Sequence, residues 1–338
     1  MEKISIDGPK APLGFLASLW KGFEFVNAHP TVVLIPVLVD AFLWFGPHLS
    51  IYGLAKPVVD SVTASVAANS ANAPMVDALR QAVQDFNLFS LLAFLPLFPP
   101  SLMAGIAPVQ TPLGSPLVVP VDNWAVAGGI AAACLLLSLA TGAAYWVWAG
   151  RTAQPATWTW ADAGVRWART LLIVLMLSAA FLVLILIASV PVLVVVSVVG
   201  MVSPTIGGAL AQLGFFLGGG LLFWMILFFM FSMHGTALYR DDILPAVWNS
   251  INTTRWMYPL SIWVPILLLL ANFLASQVWS LAPAGDWSGA VGVLGNAYTS
   301  SVVVVASMAY YIDKRRWISE VQVYLQSRLP GRTPPGSA

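Results

Sequence analysis

The chain has 338 residues, of which 59% are hydrophobic and 9% charged, with a formal net charge of +1 and a mean hydropathy of +0.84. Soluble domains carry about 25% charged residues, so this composition excludes an ordinary water-soluble fold. The near-neutral balance, with basic residues at the ends of apolar runs, excludes a nucleic-acid partner, and the single cysteine, Cys134, excludes an intrachain disulfide or multi-thiolate metal centre.

Residues 1–12 read as a flexible polar tail without a signal peptide, because no apolar core precedes Pro12. Leu16, Leu19, Trp20 and Phe23 then follow the i, i+3, i+4, i+7 rhythm, with Lys21 and Glu24 off that face. That pattern predicts an amphipathic helix over 13–26 lying on a membrane. Pro30 opens a first span over 30–52, with Asp40 near its middle.

The segment 53–123 is expected outside the membrane. Within it, 86–109 is apolar but carries Pro96, Pro99, Pro100 and Pro108. Prolines this dense free carbonyls that lipid cannot satisfy, so a re-entrant or interfacial element is expected there. A clean span follows over 124–149.

From Thr170 to Tyr239 the chain runs 70 residues without a Lys, Arg, Asp or Glu. Leu171 to Val190 alone is 20 residues, at ~1.5 Å each enough to cross a ~30 Å hydrocarbon layer. Spans are expected over 170–190 and 214–236, separated by a turn near Ser203–Gly208. The links 157–168 and 243–256 each show an apolar, Trp-bearing side: Trp160, Ala163, Gly164 and Trp167 in one, Leu244, Val247, Trp248 and Ile251 in the other. Two more spans, 258–278 and 294–311, precede Asp313–Trp317, a surface helix through Trp317, Val321 and Tyr324, and a disordered tail over 326–338.

Charge fixes the expected topology. Counting 86–109 as a span places Arg151, Arg166 and Arg169 opposite Lys3, Lys10 and Lys21; leaving it out puts every basic cluster on one side, with only Lys56 and Arg80 opposite. The positive-inside rule selects the second arrangement, with both termini cytoplasmic in a cell (inner) membrane. The expected fold class is all-α: a polytopic transmembrane helical bundle over 13–325, a single domain of six spans as three helical hairpins, each preceded by a cytoplasmic amphipathic helix. The phrases PATW at 155–158 and PAVW at 245–248 fit that periodicity.

No Walker loop, GxGxxG, HExxH, GxSxG or CxxC motif occurs, so no catalytic, cofactor or metal site is assigned. Asp40 is the candidate intramembrane polar site, because a mid-membrane carboxylate without a cation at its depth needs polar partners. Asn272, the backbone near Leu270 and the Ser178 hydroxyl are the expected partners. Asp40 reads either as a protonated structural linker between helices or as a proton or cation relay. Glu24, His29, His234, Arg240 and Asp241 form a candidate cytoplasmic-boundary cluster, in which two histidines and a carboxylate have the composition of a metal site but equally that of polar helix caps. His48, beside Trp44 and Tyr52, carries a similar pair of readings, a tetrapyrrole ligand or a boundary cap. Gly214 and Gly218 give a small-xxx-small face for helix packing.

The cytoplasmic helices ahead of hairpins, and the span ends ALYRDDILPAVWNSINTTRW (237–256) and YYIDKRRW (310–317), resemble those of bacterial six-helix membrane proteins. In particular they resemble the membrane domain of some glycerophosphodiester phosphodiesterases and its stand-alone relatives. The resemblance implies a membrane domain without the catalytic domain and transfers no active residues. The functional expectation is a scaffolding, bilayer-organising or partner-assisting protein with membrane lipids as partners, and with another membrane protein or a second copy left open. A small-molecule or ion transporter with a polar cavity around Asp40, and a membrane-embedded enzyme, are the alternatives.

Overall fold

The computed structural model describes residues 9–66, 73–93, 101–106, 108–154, 158–257 and 262–328. Among the described residues the fold is all-α apart from one two-stranded pairing. In chain order the helices are α1 (Phe15–Ala28), α2 (Leu34–Phe45), α3 (Tyr52–Val66), α4 (Ala73–Gln84), α5 (Leu102–Ile106), α6 (Trp124–Ala153), α7 (Trp160–Val202), α8 (Pro204–Phe229), α9 (Ser232–His234), α10 (Ile243–Met257), α11 (Trp263–Trp279) and α12 (Ser288–Arg328). Strands β1 (His48–Ser50) and β2 (Val118–Pro120) pair in parallel, His48 opposite Val118.

Among the described residues four helical runs are long and apolar enough to cross a membrane: Trp124–Ala153, Trp160–Val202, Thr205–Tyr239 and Ser288–Ser327. A fifth arises if α1 and the run Pro30–Phe45 count together, but they are bent by 97° at the break between them. α11 is apolar and only 17 residues long.

Several boundaries differ from the expected ones, for local reasons. The span expected over 30–52 is a 3-10 turn (Pro30–Val33) followed by α2, 12 residues that end where Gly46 turns extended ahead of Pro47. Pro30 has no N–H to continue α1, and it drives His29 out of the helical region, to φ −136° and ψ 65°. The link 157–168 is not a separate helix. Thr159 caps α7 by accepting from the Asp162 amide, and the helix then runs 43 residues through Pro191. α8 starts ten residues before the expected span, at Pro204, where Ser203 caps it. The last span and the expected surface helix after it are one 41-residue helix, α12. Residues 88–93 form a 3-10 turn and 102–106 a short α-helix; the rest of the proline-rich run, 94–100 and 107, lies outside the described residues. So do the start of the span expected at 258, PAT of the PATW phrase, and most of both tails.

The sequence reading treats 13–325 as one domain; the folded chain divides into two compact units. The first comprises 15–155 and 265–307, the second 1–14, 156–264 and 308–338, and α12 contributes residues to each. In the first unit, α12 is the element others pack on. α1 buries Ser18, Gly22 and Val26, and Gly22 lies against α12, where a Cβ would come 2.4 Å from the Val302 carbonyl oxygen. Tyr145 on α6 donates to Ser301 at 3.1 Å, and Ser276 on α11 donates to Asn296 at 2.8 Å. Leu43, Trp44, Leu102, Met103 and Val293 form an apolar cluster, with the Trp44 indole donating to the Ala284 carbonyl at 2.8 Å. Asp286 opens the approach to α12: hydrogen bonds from the Ser288 hydroxyl and amide hold its carboxyl below the usual range.

In the second unit, α7 and α8 form a long antiparallel hairpin. Contacts run along its whole length: the Thr170 and Thr236 hydroxyls 2.9 Å apart, Phe181 edge-on to Phe229, Val192 against Gly214, and Gly200 against Gly207 at the apex. Glycine is needed at the apex, since a Cβ on Gly207 would lie 2.5 Å from the Gly200 Cα.

Candidate functional sites

Asp40 lies on α2 and is fully buried. Its partners come from the N-terminus of α5. The Ser101 hydroxyl and the Met103 amide (3.1 Å) donate to one carboxyl oxygen, and the Leu102 amide (3.3 Å) donates to the other. Ser101 Oγ in turn accepts from the Ala104 amide at 3.1 Å. A short helix exposes several unpaired N–H groups at its start, and a carboxyl is a good acceptor for them. The arrangement therefore fastens the 101–106 segment onto α2 and leaves neither oxygen free. Asn272 is not among these partners; it is buried on α11, with its Oδ1 lacking a hydrogen bond. Sequence spacing had no means of finding Ser101, which is 61 positions away in a loop.

A second polar cluster sits at the base of the hairpin. α8 is followed by α9 and by a π-helical turn, Gly235–Tyr239, and the turn ends at Arg240 in the left-handed conformation, φ 59°. The last carbonyls of a helix have no partner within it. Arg166 donates to the Ala237 carbonyl at 3.0 Å and to that of Leu238, and Arg169 donates to that of Arg240. Arg169 also pairs with Asp242 (2.7 Å), and Arg240 with Asp162 (3.0 Å). Asp241 accepts from Arg315 at 2.8 Å and from Asn249 at 3.0 Å, while the Arg315 guanidinium covers the Tyr239 ring at 4.1 Å. Gly235 makes room for this, since a Cβ there would meet the Asp241 carboxylate at 3.0 Å. Tyr311 stacks on Phe231, ring centres 5.3 Å apart, and lies 5.4 Å from the His234 ring. Lys314, fully buried, donates to the Trp256 carbonyl at 3.1 Å and lies over Trp317.

Of the boundary residues singled out in the sequence, His234, Arg240 and Asp241 belong to this unit but turn to different partners: His234 to the Met230 carbonyl, Arg240 to Asp162, Asp241 to Arg315. Glu24 and His29 belong to the other unit, where Glu24 accepts from the Trp20 indole and His29 faces the Phe25 carbonyl. Among the described residues, no group of three or more His, Cys, Asp or Glu is placed to hold a metal. Of the two glycines, Gly214 packs on Val192, whereas Gly218 faces open space.

The amphipathic helices show a third feature. α1 buries Ser18, Gly22 and Val26 and half-buries Phe23 against Tyr298, while Trp20 is 67% exposed and Leu16 more so. α10 repeats the arrangement. Ala246, Ser250, Thr253 and Thr254 face inward, Ser250 donating to the Phe228 carbonyl and Thr254 to that of Leu227, while Trp248 is 66% exposed beside an exposed Leu244. In both helices Leu precedes Trp by four residues. A Leu–Trp pair exposed in this way in both helices suits the headgroup boundary of a bilayer. No family model, no curated protein and no solved structure matches the chain.

Proposed function

We propose that the chain is a six-span, multi-pass protein of the cell (inner) membrane, with both termini cytoplasmic and a scaffolding, bilayer-organising role. The reading rests chiefly on the paired helices α1 and α10. Each turns a small or polar face to protein and a Leu–Trp pair outward, as a helix wedged into one leaflet does. Four long helical runs support four of these spans, the run Pro30–Phe45 and the 17-residue α11 are assigned as the other two, and the one-sided distribution of basic residues supports the orientation. A transporter built on Asp40 asks for a carboxyl free to meet a substrate or ion, and both Asp40 oxygens are engaged by α5.

Depth measurement tests this reading. Spin labels at Leu16→Cys and Leu244→Cys, each with Cys134→Ala and reconstituted in lipid, are expected to report about 5–10 Å below the headgroups by oxygen accessibility. Labels that report bulk water at both positions overturn the reading. For orientation, an impermeant thiol reagent applied to intact cells is expected to mark Ser70→Cys and to spare Ser327→Cys; the reverse pattern overturns it.

A further inference from the structure

The hairpin α7–α8 is longer than the membrane it is read to cross. From Thr170, beside the polar layer of Arg166, Arg169 and Asp162, to Val202 is 33 residues, about 50 Å at ~1.5 Å each. The returning arm from Thr205 to Thr236 is as long, and contacts hold the register over the whole length. Hydrocarbon is ~30 Å thick, and an ordinary span tilts by ~20°, at most about 40°. Even at that limit the hairpin would rise about 38 Å, so an upright or ordinarily tilted hairpin would push its apex out of the hydrocarbon.

The apex is not built for water. Val198, Met201, Val202 and Ile206 are exposed there, Met201 by 87%, and the nearest ionisable side chain of any kind on this hairpin is His234, at its base. Among the described residues of this unit nothing covers these side chains, and Gly218, Gly219 and Gly220 likewise meet nothing within 4 Å. Apolar surface of this extent is costly in water and costless among acyl chains. Pro191, inside α7 at ~30 Å from Thr170, gives the longer arm a place to bend near the far edge of the hydrocarbon.

Building on the membrane-organising reading above, we propose that the apex over 198–210 stays within the acyl chains of the far leaflet. The hairpin then lies oblique and ties the protein to bilayer thickness. The partner of this surface is lipid hydrocarbon, since the apex carries no charge and its only side-chain hydroxyls are Thr205 and Ser203, the latter turned back to cap the Ile206 amide.

The test uses the full chain with Cys134→Ala and either Thr205→Cys, at the apex, or Ser327→Cys, on the exposed end of α12. Each is reconstituted in phosphatidylcholine vesicles with acyl chains of fourteen, eighteen or twenty-two carbons, and an impermeant maleimide is present on both sides. In the two thicker bilayers Thr205→Cys is expected to react at least an order of magnitude more slowly than Ser327→Cys, with the protection relaxing in the thinnest. Equal reactivity in the thickest bilayer overturns the proposal. Protection that vanishes when the protein is diluted in lipid also overturns it, because a second copy would then be the cover. Release of the protein from the vesicles by alkaline carbonate would instead overturn the membrane-spanning reading itself.

Discussion

The hydroxyls of Thr170 and Thr236 lie 2.9 Å apart, both fully buried, one at the base of each arm of the α7–α8 hairpin. Thr236 also reaches the Met233 carbonyl at 3.0 Å, just before the backbone widens into its π turn. The pair fixes the register of the two arms beside the hydrogen bonds that Arg166 and Arg169 make to the carbonyls of Ala237, Leu238 and Arg240, and above it the contacts along the hairpin are apolar. Thr170→Val and Thr236→Val are each expected to cost about 0.5–1.5 kcal/mol. The double variant is expected to cost less than their sum by about 0.6 kcal/mol, the usual coupling between helices in membranes. Unfolding in mixed micelles measures it, and strict additivity would remove the lock.

Gly22 carries the contact of α1 with α12, because a side chain there would run into the Val302 carbonyl and the Ala306 methyl. Gly22→Val is expected to lower stability by about 1–3 kcal/mol, the range for overpacking. Gly128→Ala on α6, where nothing lies within 4 Å, is the control and is expected to be neutral or stabilising by up to about 1 kcal/mol. A thermal melt of the two variants in the same detergent separates them.

Asp40 is expected to behave as a fastener. Asp40→Leu strands the Leu102 and Met103 amides and the Ser101 hydroxyl in a buried site, at a cost of about 1–3 kcal/mol. Asp40→Asn retains an acceptor oxygen and is expected to lose less. Limited proteolysis near 101–106 reads the difference directly, with faster cleavage in Asp40→Leu. Equal cleavage in the two variants would show that the hydrogen bonds do not hold this segment.

Asp241 and Arg315 are only partly exposed, and Asn249 shares the carboxylate. Asp241→Ala leaves the guanidinium unpaired and is expected to cost about 1.5–3 kcal/mol, with Asp241→Asn intermediate. Adding Arg315→Met to Asp241→Ala is expected to recover part of that loss. Denaturant unfolding of the four proteins checks the order, and no recovery in the double variant would argue against the pairing.

Sequence alone determined the class of this protein. A chain with 70 consecutive residues lacking any Lys, Arg, Asp or Glu has nowhere to place them but lipid, and the apolar periods mark the helices because hydrocarbon obliges every backbone group to bond within its own segment. The rhythm of Leu16, Leu19, Trp20 and Phe23 was legible for the same reason, although rhythm cannot say whether an apolar face meets protein or lipid. The tertiary structure decided that: Gly22 lies against α12, Ser18 is buried and Trp20 is exposed, because small residues permit the close approach that bulky ones forbid. It also decided the partners of the lone carboxyl. Asp40 stands out in the sequence as a charge out of place, but only folding brings Ser101 and its neighbouring amides against it from 61 or more positions away, and such long-range pairings leave no trace in local pattern.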